Sequence, residues 1–135
     1  MCAVINPELD RLARARYVSL TTFRPDGTEV ASPVWVASEG GYLQVLAGAD
    51  EARVRRLRQD SRVTVAPCDQ RGNLQGDPVP ATAAVIEDGD LIARVAELMR
   101  NRYGLAARIM QSVDRARRRT RYVVIAIDVP EDVAV

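Results

Sequence analysis

Two spacings of apolar residues alternate along this chain. Asn6-Pro7-Glu8 carries a helix-start signature: a capping residue, proline at the first helical position, then an acid. Leu9, Leu12 and Ala13 follow at helical spacing, and the helix is predicted to end near Ala15. Tyr17-Val18-Ser19-Leu20-Thr21-Thr22-Phe23 is rich in strand formers. Arg24-Pro25-Asp26-Gly27 predicts a turn, because proline presets its φ and glycine accepts a positive one. A second strand is expected from Thr28 to Ala37, with Trp35 inside it and Pro33 at an edge or bulge. Ser38-Glu39-Gly40-Gly41 turns again, and Tyr42 to Leu46 forms a third strand. Three strands joined by short glycine-containing turns predict an antiparallel meander.

Asp50-Glu51 then opens a helix through about Gln59, with Asp50 as its expected cap and Val54 and Leu57 on its buried face. Arg62 to Pro67 is a fourth strand, Cys68 to Asp77 a polar loop, and Val79 to Glu87 a fifth strand. Glu87-Asp88-Gly89-Asp90 leads into a helix whose stripe is Leu91, Val95, Leu98 and Met99, stopped at Tyr103-Gly104. A further helix carries Leu105, Ile109, Met110 and Val113. Tyr122 to Val129 is a sixth strand, and its weak alternation predicts burial on both faces. Strands run together with helices inserted between them, so the class is α+β. Six strands with tight turns can close into a small barrel that hides its edges. At 135 residues, with no repeat or linker, the chain is expected to form one domain spanning 1–135.

Composition narrows the chemistry. Histidine is absent, which removes the usual general base and the commonest metal ligand. No metal site is expected, and the hard chemistry of an enzyme would belong to a cofactor. All 19 basic residues are arginine, a bias read first as codon usage, and the lack of lysine rules out a Schiff base. Cys2 and Cys68 match no zinc or redox spacing. A net charge of +1 and six aromatic residues oppose nucleic-acid binding. No apolar run is long enough for a membrane span and no signal peptide is evident, so a cytoplasmic location is expected.

The informative segment is Ala52 to Val65. Arg53, Arg55, Arg56 and Arg58 crowd a short helix whose apolar residues face inward. Two readings stand: a solvated helix face, or a cradle of guanidinium forks for phosphate. Gly72-Asn73-Leu74-Gln75-Gly76 lacks dinucleotide-fingerprint spacing and reads as a loop. Arg115 to Arg121 is a basic run at a helix end, where it complements the helix dipole or offers a second anion contact.

Several phrases in order resemble the split-barrel flavin-binding superfamily of pyridoxamine-phosphate oxidase-like proteins. They are Leu20 to Thr28, Ser32-Pro33-Val34-Trp35-Val36, Arg53-Val54-Arg55-Arg56-Leu57 and Asp60 to Asp69, with similarity extending to the strand at Tyr122 to Val129. The chain looks closest to the actinobacterial branch described as probable coenzyme F420-dependent oxidoreductases. The resemblance implies a six-stranded, mainly antiparallel split β-barrel with short flanking helices. It also implies a homodimer with cofactor at the interface and a small-molecule substrate. By position it implies Arg53, Arg55 and Arg56 at the cofactor phosphate, and Val34, Trp35 and Val36 behind the ring. Relatives often carry a hydroxyl at the end of the third strand. Here Leu46-Ala47-Gly48-Ala49 has none, and backbone amides near Gly48 and Ala49 are the expected substitutes. The leading expectation is hydride transfer from reduced coenzyme F420. The alternatives are FMN as cofactor, or a non-catalytic flavin- or haem-binding dimer. No catalytic side chain is singled out; solvent, Tyr103 or Tyr122 are candidate proton sources.

Overall fold

In the computed structural model, residues 7–117 and 121–130 are described, those at 115–117 for backbone alone. The elements in chain order are α1 (Pro7–Arg14), β1 (Tyr17–Phe23), β2 (Glu29–Val34), β3 (Ala37–Glu39) and β4 (Tyr42–Gly48). Then come α2 (Ala52–Gln59), β5 (Arg62–Cys68), β6 (Val79–Ile86), α3 (Gly89–Tyr103), α4 (Leu105–Arg117) and β7 (Tyr122–Asp128). The class is α+β, and the strands form one curled antiparallel sheet ordered β2-β1-β5-β6-β7-β4-β3.

Local signals placed most boundaries. The first strand runs Tyr17–Phe23, and Gly27 turns the first hairpin at a φ of 88°. Asp26 Oδ1 accepts from the Thr28 amide at 2.9 Å, which completes the turn. Val54 and Leu57 are buried, as their spacing requires. Pro33 sits on β2, an edge of the sheet, where the missing N–H costs no ladder bond.

Three expectations are corrected. The second strand does not run from Thr28 to Ala37: it breaks at Trp35 and Val36 into β2 and β3, so the sheet has seven strands and not six. The meander breaks with it. β2 pairs with β1, but β3 and β4 lie at the far end of the sheet, where β4 pairs with β7. Tyr103 holds the break: its buried hydroxyl accepts from the Val36 amide at 3.1 Å. The cap of α2 is Glu51 rather than Asp50, and its side chain makes no capping bond. The expected Asn6 cap, Cys2 and most of the basic run (Arg115 to Thr120) lie outside the residues whose side chains are described.

Two cores flank the sheet. Inside the curl, Leu9 and Leu12 of α1 meet Val18, Leu20, Val45, Val63, Val65, Ile125 and Ile127. Outside it, Val95, Met99 and Tyr103 of α3 and Ala107 of α4 cover Ala37 and Val124. β7 lies between the two layers and is buried on both faces, as its sequence implies. α4 turns Ala107 and Gln111 inward, whereas its apolar stripe of Leu105, Ile109, Met110 and Val113 is exposed. Periodicity identified that stripe without saying which face would be covered.

A close approach at Gly76 ties α1 to the loop after β5. A Cβ there would lie 2.7 Å from the Pro67 ring and 2.6 Å from Arg11 Nη1. The arginine tip can move, but the ring cannot. Gly76→Ala is therefore expected to cost about 1–3 kcal/mol through overpacking, measured as a lower urea midpoint at unchanged slope.

Candidate functional site

The break between β2 and β3 creates the site. β3 pairs only with Tyr42 to Gln44 of β4, so Val45 to Gly48 have a ladder partner on the β7 side alone. Their other edge faces the free edge of β2 across a cleft of about 440 Å³, inside the range of roughly 300–1,000 Å³ common for small-molecule sites. Pro33, Val34 and Trp35 form one wall, and Val45 to Gly48 the other. Met99 of α3 and Ala107, Met110, Gln111 and Asp114 of α4 close the third side. Tyr17, Gln70 and Tyr122 also reach it.

Ladder alternation fixes which amides face this opening. Ala49 N–H donates to the Arg121 carbonyl at 3.0 Å, so this pair is bonded across β4 and β7. Two residues back the pattern repeats, which turns the main-chain groups of Leu46 and Gly48 away from β7 and toward the cleft. The Gly48 carbonyl is taken by the Glu51 amide at 3.1 Å. Gly48 N–H can therefore meet a ligand, whereas Ala49 N–H is engaged and Ala49 lies outside the cleft lining.

The basic helix divides by direction. Arg53 reaches the cleft; its Nε donates to Glu51 Oε2 at 2.8 Å, and its Nη1 lies 3.5 Å from Ser32 Oγ. Ser32, on β2, thus brings a hydroxyl beside Arg53 that the end of β4 lacks. Arg55 is exposed and donates to the Asp50 carbonyl at 2.6 Å. Arg56 turns under the first hairpin, where its Nε donates to Thr22 Oγ1 at 2.6 Å. Burial, then the nearby guanidiniums of Arg24, Arg53 and Arg55, lower the Arg56 pKa. Neither Arg55 nor Arg56 lines the cleft. Arg58 pairs with Glu87 at 3.2 Å. Arg62 pairs with Asp60 at 2.7 Å and covers the Phe23 ring; hydrogen bonds from Arg62 bring the Asp60 carboxyl down to about 2.

Trp35 and Val34 face the cleft, but Val36 is fully buried in the inner core. Trp35 stacks on Tyr103, with ring centroids 4.6 Å apart and planes 11° from parallel. The Tyr103 hydroxyl is 2.9 Å from the Arg16 carbonyl, burial raises its pKa, and it does not line the cleft. Tyr122 does line it, and its hydroxyl donates to Asp114 Oδ2 at 2.5 Å. With its proton turned to that carboxylate, Tyr122 presents lone pairs to a ligand. Cys68 is buried away from the cleft, and burial, then Asp69, push its thiol pKa up, against activation. Among the described residues no three potential metal-ligating side chains cluster, and no helix is long and apolar enough to cross a membrane.

No local pattern marks Glu51 or Asp114 as cleft residues, and Gln111 is missed with them. Gln111 offered one signal, a polar residue beside an apolar stripe. It is held by the Ala96 carbonyl at 3.1 Å and by Arg100 at 2.8 Å.

Known structures share this architecture. A conserved hypothetical protein of Mycobacterium tuberculosis superposes with a TM-score of 0.69 at 23% identity, covering 95% of this chain and 82% of that one. The haem storage protein HutZ of Vibrio cholerae gives 0.66 at 16% identity, covering 93% and 89%. A protein named F420 reductase gives 0.59 at 17% identity, covering 96% of each chain. These likenesses concern the fold. No curated protein matches the chain in sequence. The family model described as pyridoxamine 5'-phosphate oxidase matches residues 5–131. With that match spanning the sheet, both helical layers and the cleft between β2 and β4, the chain belongs to the pyridoxamine 5'-phosphate oxidase family.

Proposed function

We propose that this chain is an oxidoreductase that binds coenzyme F420 in the cleft between β2 and β4 and passes its hydride to a small organic substrate. The observation that carries the reading is the pairing of an apolar slot with one arginine at its end. Val34, Trp35, Leu46 and Met99 supply flat or apolar surface for a ring system. Arg53 and Gly48 N–H supply donors where a phosphate would sit, and Ser32 Oγ accepts from Arg53 behind them. When bound, the reduced deazaflavin supplies the hydride, and the chain contributes binding, orientation and exclusion of water. The matching proton comes from solvent, since the Tyr122 proton is committed to Asp114. The structural likeness to a protein named F420 reductase supports this choice over FMN, as does the density of arginines outside the slot.

The chain is further proposed to act as a homodimer. Leu105, Ile109, Met110 and Val113 expose an apolar stripe on α4, and Met110 joins that stripe to the cleft. Such a patch calls for a covering surface.

Titration is the direct test. Trp35 is the single tryptophan and lies on the cleft wall, so its fluorescence reports occupancy. Saturable quenching by F420, tighter than by FMN, is the expected result. The reading fails if neither compound binds at high micromolar concentration. Tighter binding of FMN changes the cofactor and leaves the cleft assignment standing.

A further inference from the structure

We propose that Glu51, assisted by Asp114, makes this cleft select a phosphodiester over a phosphomonoester, so that a singly charged phosphate is accepted and a doubly charged one refused. The inference rests on the cofactor reading above and concerns the charge on the wall of the same cleft.

Three charged side chains line the cleft among the described residues: Arg53, Glu51 and Asp114. Among these described side chains, two acids stand against one base. The chain connects them around the junction of β4 and β7. Glu51 lies three residues past the end of β4, where its amide bonds to the Gly48 carbonyl. Gly48 is paired across the ladder with Tyr122, and Tyr122 is bonded to Asp114. The Arg53 guanidinium is already shared, because its Nε is held by Glu51 at 2.8 Å. An arriving phosphate meets the remaining face of that arginine beside the Glu51 carboxylate, with Asp114 on the wall of the same cleft.

The other arginines of α2 do not reverse this balance. Arg55 is exposed and turned to the Asp50 carbonyl, and Arg56 is turned to Thr22. Together with Arg24 they place positive charge outside the cleft, where solvent and salt screen it. No side-chain hydroxyl at Leu46-Ala47-Gly48 adds a donor for a second negative charge. A monoester such as that of FMN is largely dianionic well above its second pKa of about 6, whereas a diester carries one charge at any working pH. Each extra negative charge beside Glu51 and Asp114 raises the repulsion without adding a donor.

The experiment compares FMN with riboflavin 4',5'-cyclic phosphate, which keeps the ring and ribityl carbons but carries a monoanionic diester. Binding is read by Trp35 quenching and flavin fluorescence at about pH 8, where the monoester is doubly charged. The wild-type chain is expected to favour the cyclic diester by about tenfold, the scale of one partly screened like-charge contact. In Glu51→Gln the preference is expected to shrink to about threefold or less through tighter FMN binding, and Asp114→Asn to move it the same way by less. Glu51→Gln keeps the shape of a half-exposed side chain that makes no cap bond, so the fold is retained. Wild-type binding of FMN as tight as that of the diester overturns the inference, as does a preference unmoved in Glu51→Gln. In both cases the cleft still binds flavin, so its assignment as the cofactor site survives. Failure of FMN, the diester and F420 alike to bind removes that reading and this one together.

Discussion

Tyr103→Ala is expected to lower folding stability by about 3–5 kcal/mol, the usual cost of emptying a buried aromatic site. Tyr103 is 4% exposed and joins three parts of the molecule. Its ring stacks on Trp35, and the Arg16 and Arg102 guanidiniums lie over it at 5.5 and 5.4 Å. Its hydroxyl accepts from the Val36 amide and reaches the Arg16 and Val36 carbonyls at 2.9 and 3.2 Å. Through these bonds the end of α3 pins the break between β2 and β3. Tyr103→Phe separates the two contributions. It keeps the ring but leaves the buried Val36 N–H without its acceptor, an expected loss of about 1–3 kcal/mol. Urea unfolding followed by circular dichroism measures both. Since domains of this size have about 5–15 kcal/mol in total, the alanine variant should be visibly marginal. A neutral Tyr103→Phe would mean that Val36 N–H is satisfied in another way and that the hydroxyl does not hold the break.

Arg53→Ala carries the largest expected effect on binding. Loss of a charge-assisted hydrogen bond to phosphate is worth about 1.5–3 kcal/mol, which corresponds to roughly a tenfold to hundredfold weaker dissociation constant. Arg53→Lys should recover only part of this, because an ammonium cannot bond Glu51 and a phosphate through one planar fork. The neighbouring arginines are the controls. Arg55→Ala should change affinity little, since Arg55 is exposed and outside the cleft. Arg56→Ala should act on stability instead, because it leaves the buried Thr22 hydroxyl without its partner. Titration with F420 for each variant, beside its thermal midpoint, sorts binding from folding. Equal losses from Arg53→Ala and Arg55→Ala would place the phosphate on the outer helix face and not in the cleft.

The contrast among these arginines shows where sequence reading ends. Their spacing on α2 follows from the chain alone, because Val54 and Leu57 must face the core and the basic residues must not. What each guanidinium touches depends on strands distant in sequence. Thr22 takes Arg56, while Ser32 and Glu51 take Arg53. No local rule foretells those partners.

The sequence by itself determined the helices, the bounds of β1, the first hairpin turn and the double burial of β7. Each of these depends on periodicity, on proline and glycine φ preferences, or on a continuous apolar run, all of which act over a few residues. Tertiary structure alone decided that Thr28 to Ala37 is two strands. The break falls on Trp35 and Val36, both strand formers, and Pro33 before them reads only as an edge or bulge; the hydroxyl that secures the break comes from Tyr103, 67 positions from Val36. From that break follow the pairing of β4 with β7, the half-open edge of Val45 to Gly48, and the cleft itself. The sharing of one cleft by Glu51 and Asp114 belongs to the same class: strand order brings the start of α2 beside the start of β7, and pairing between distant strands is set by the whole core.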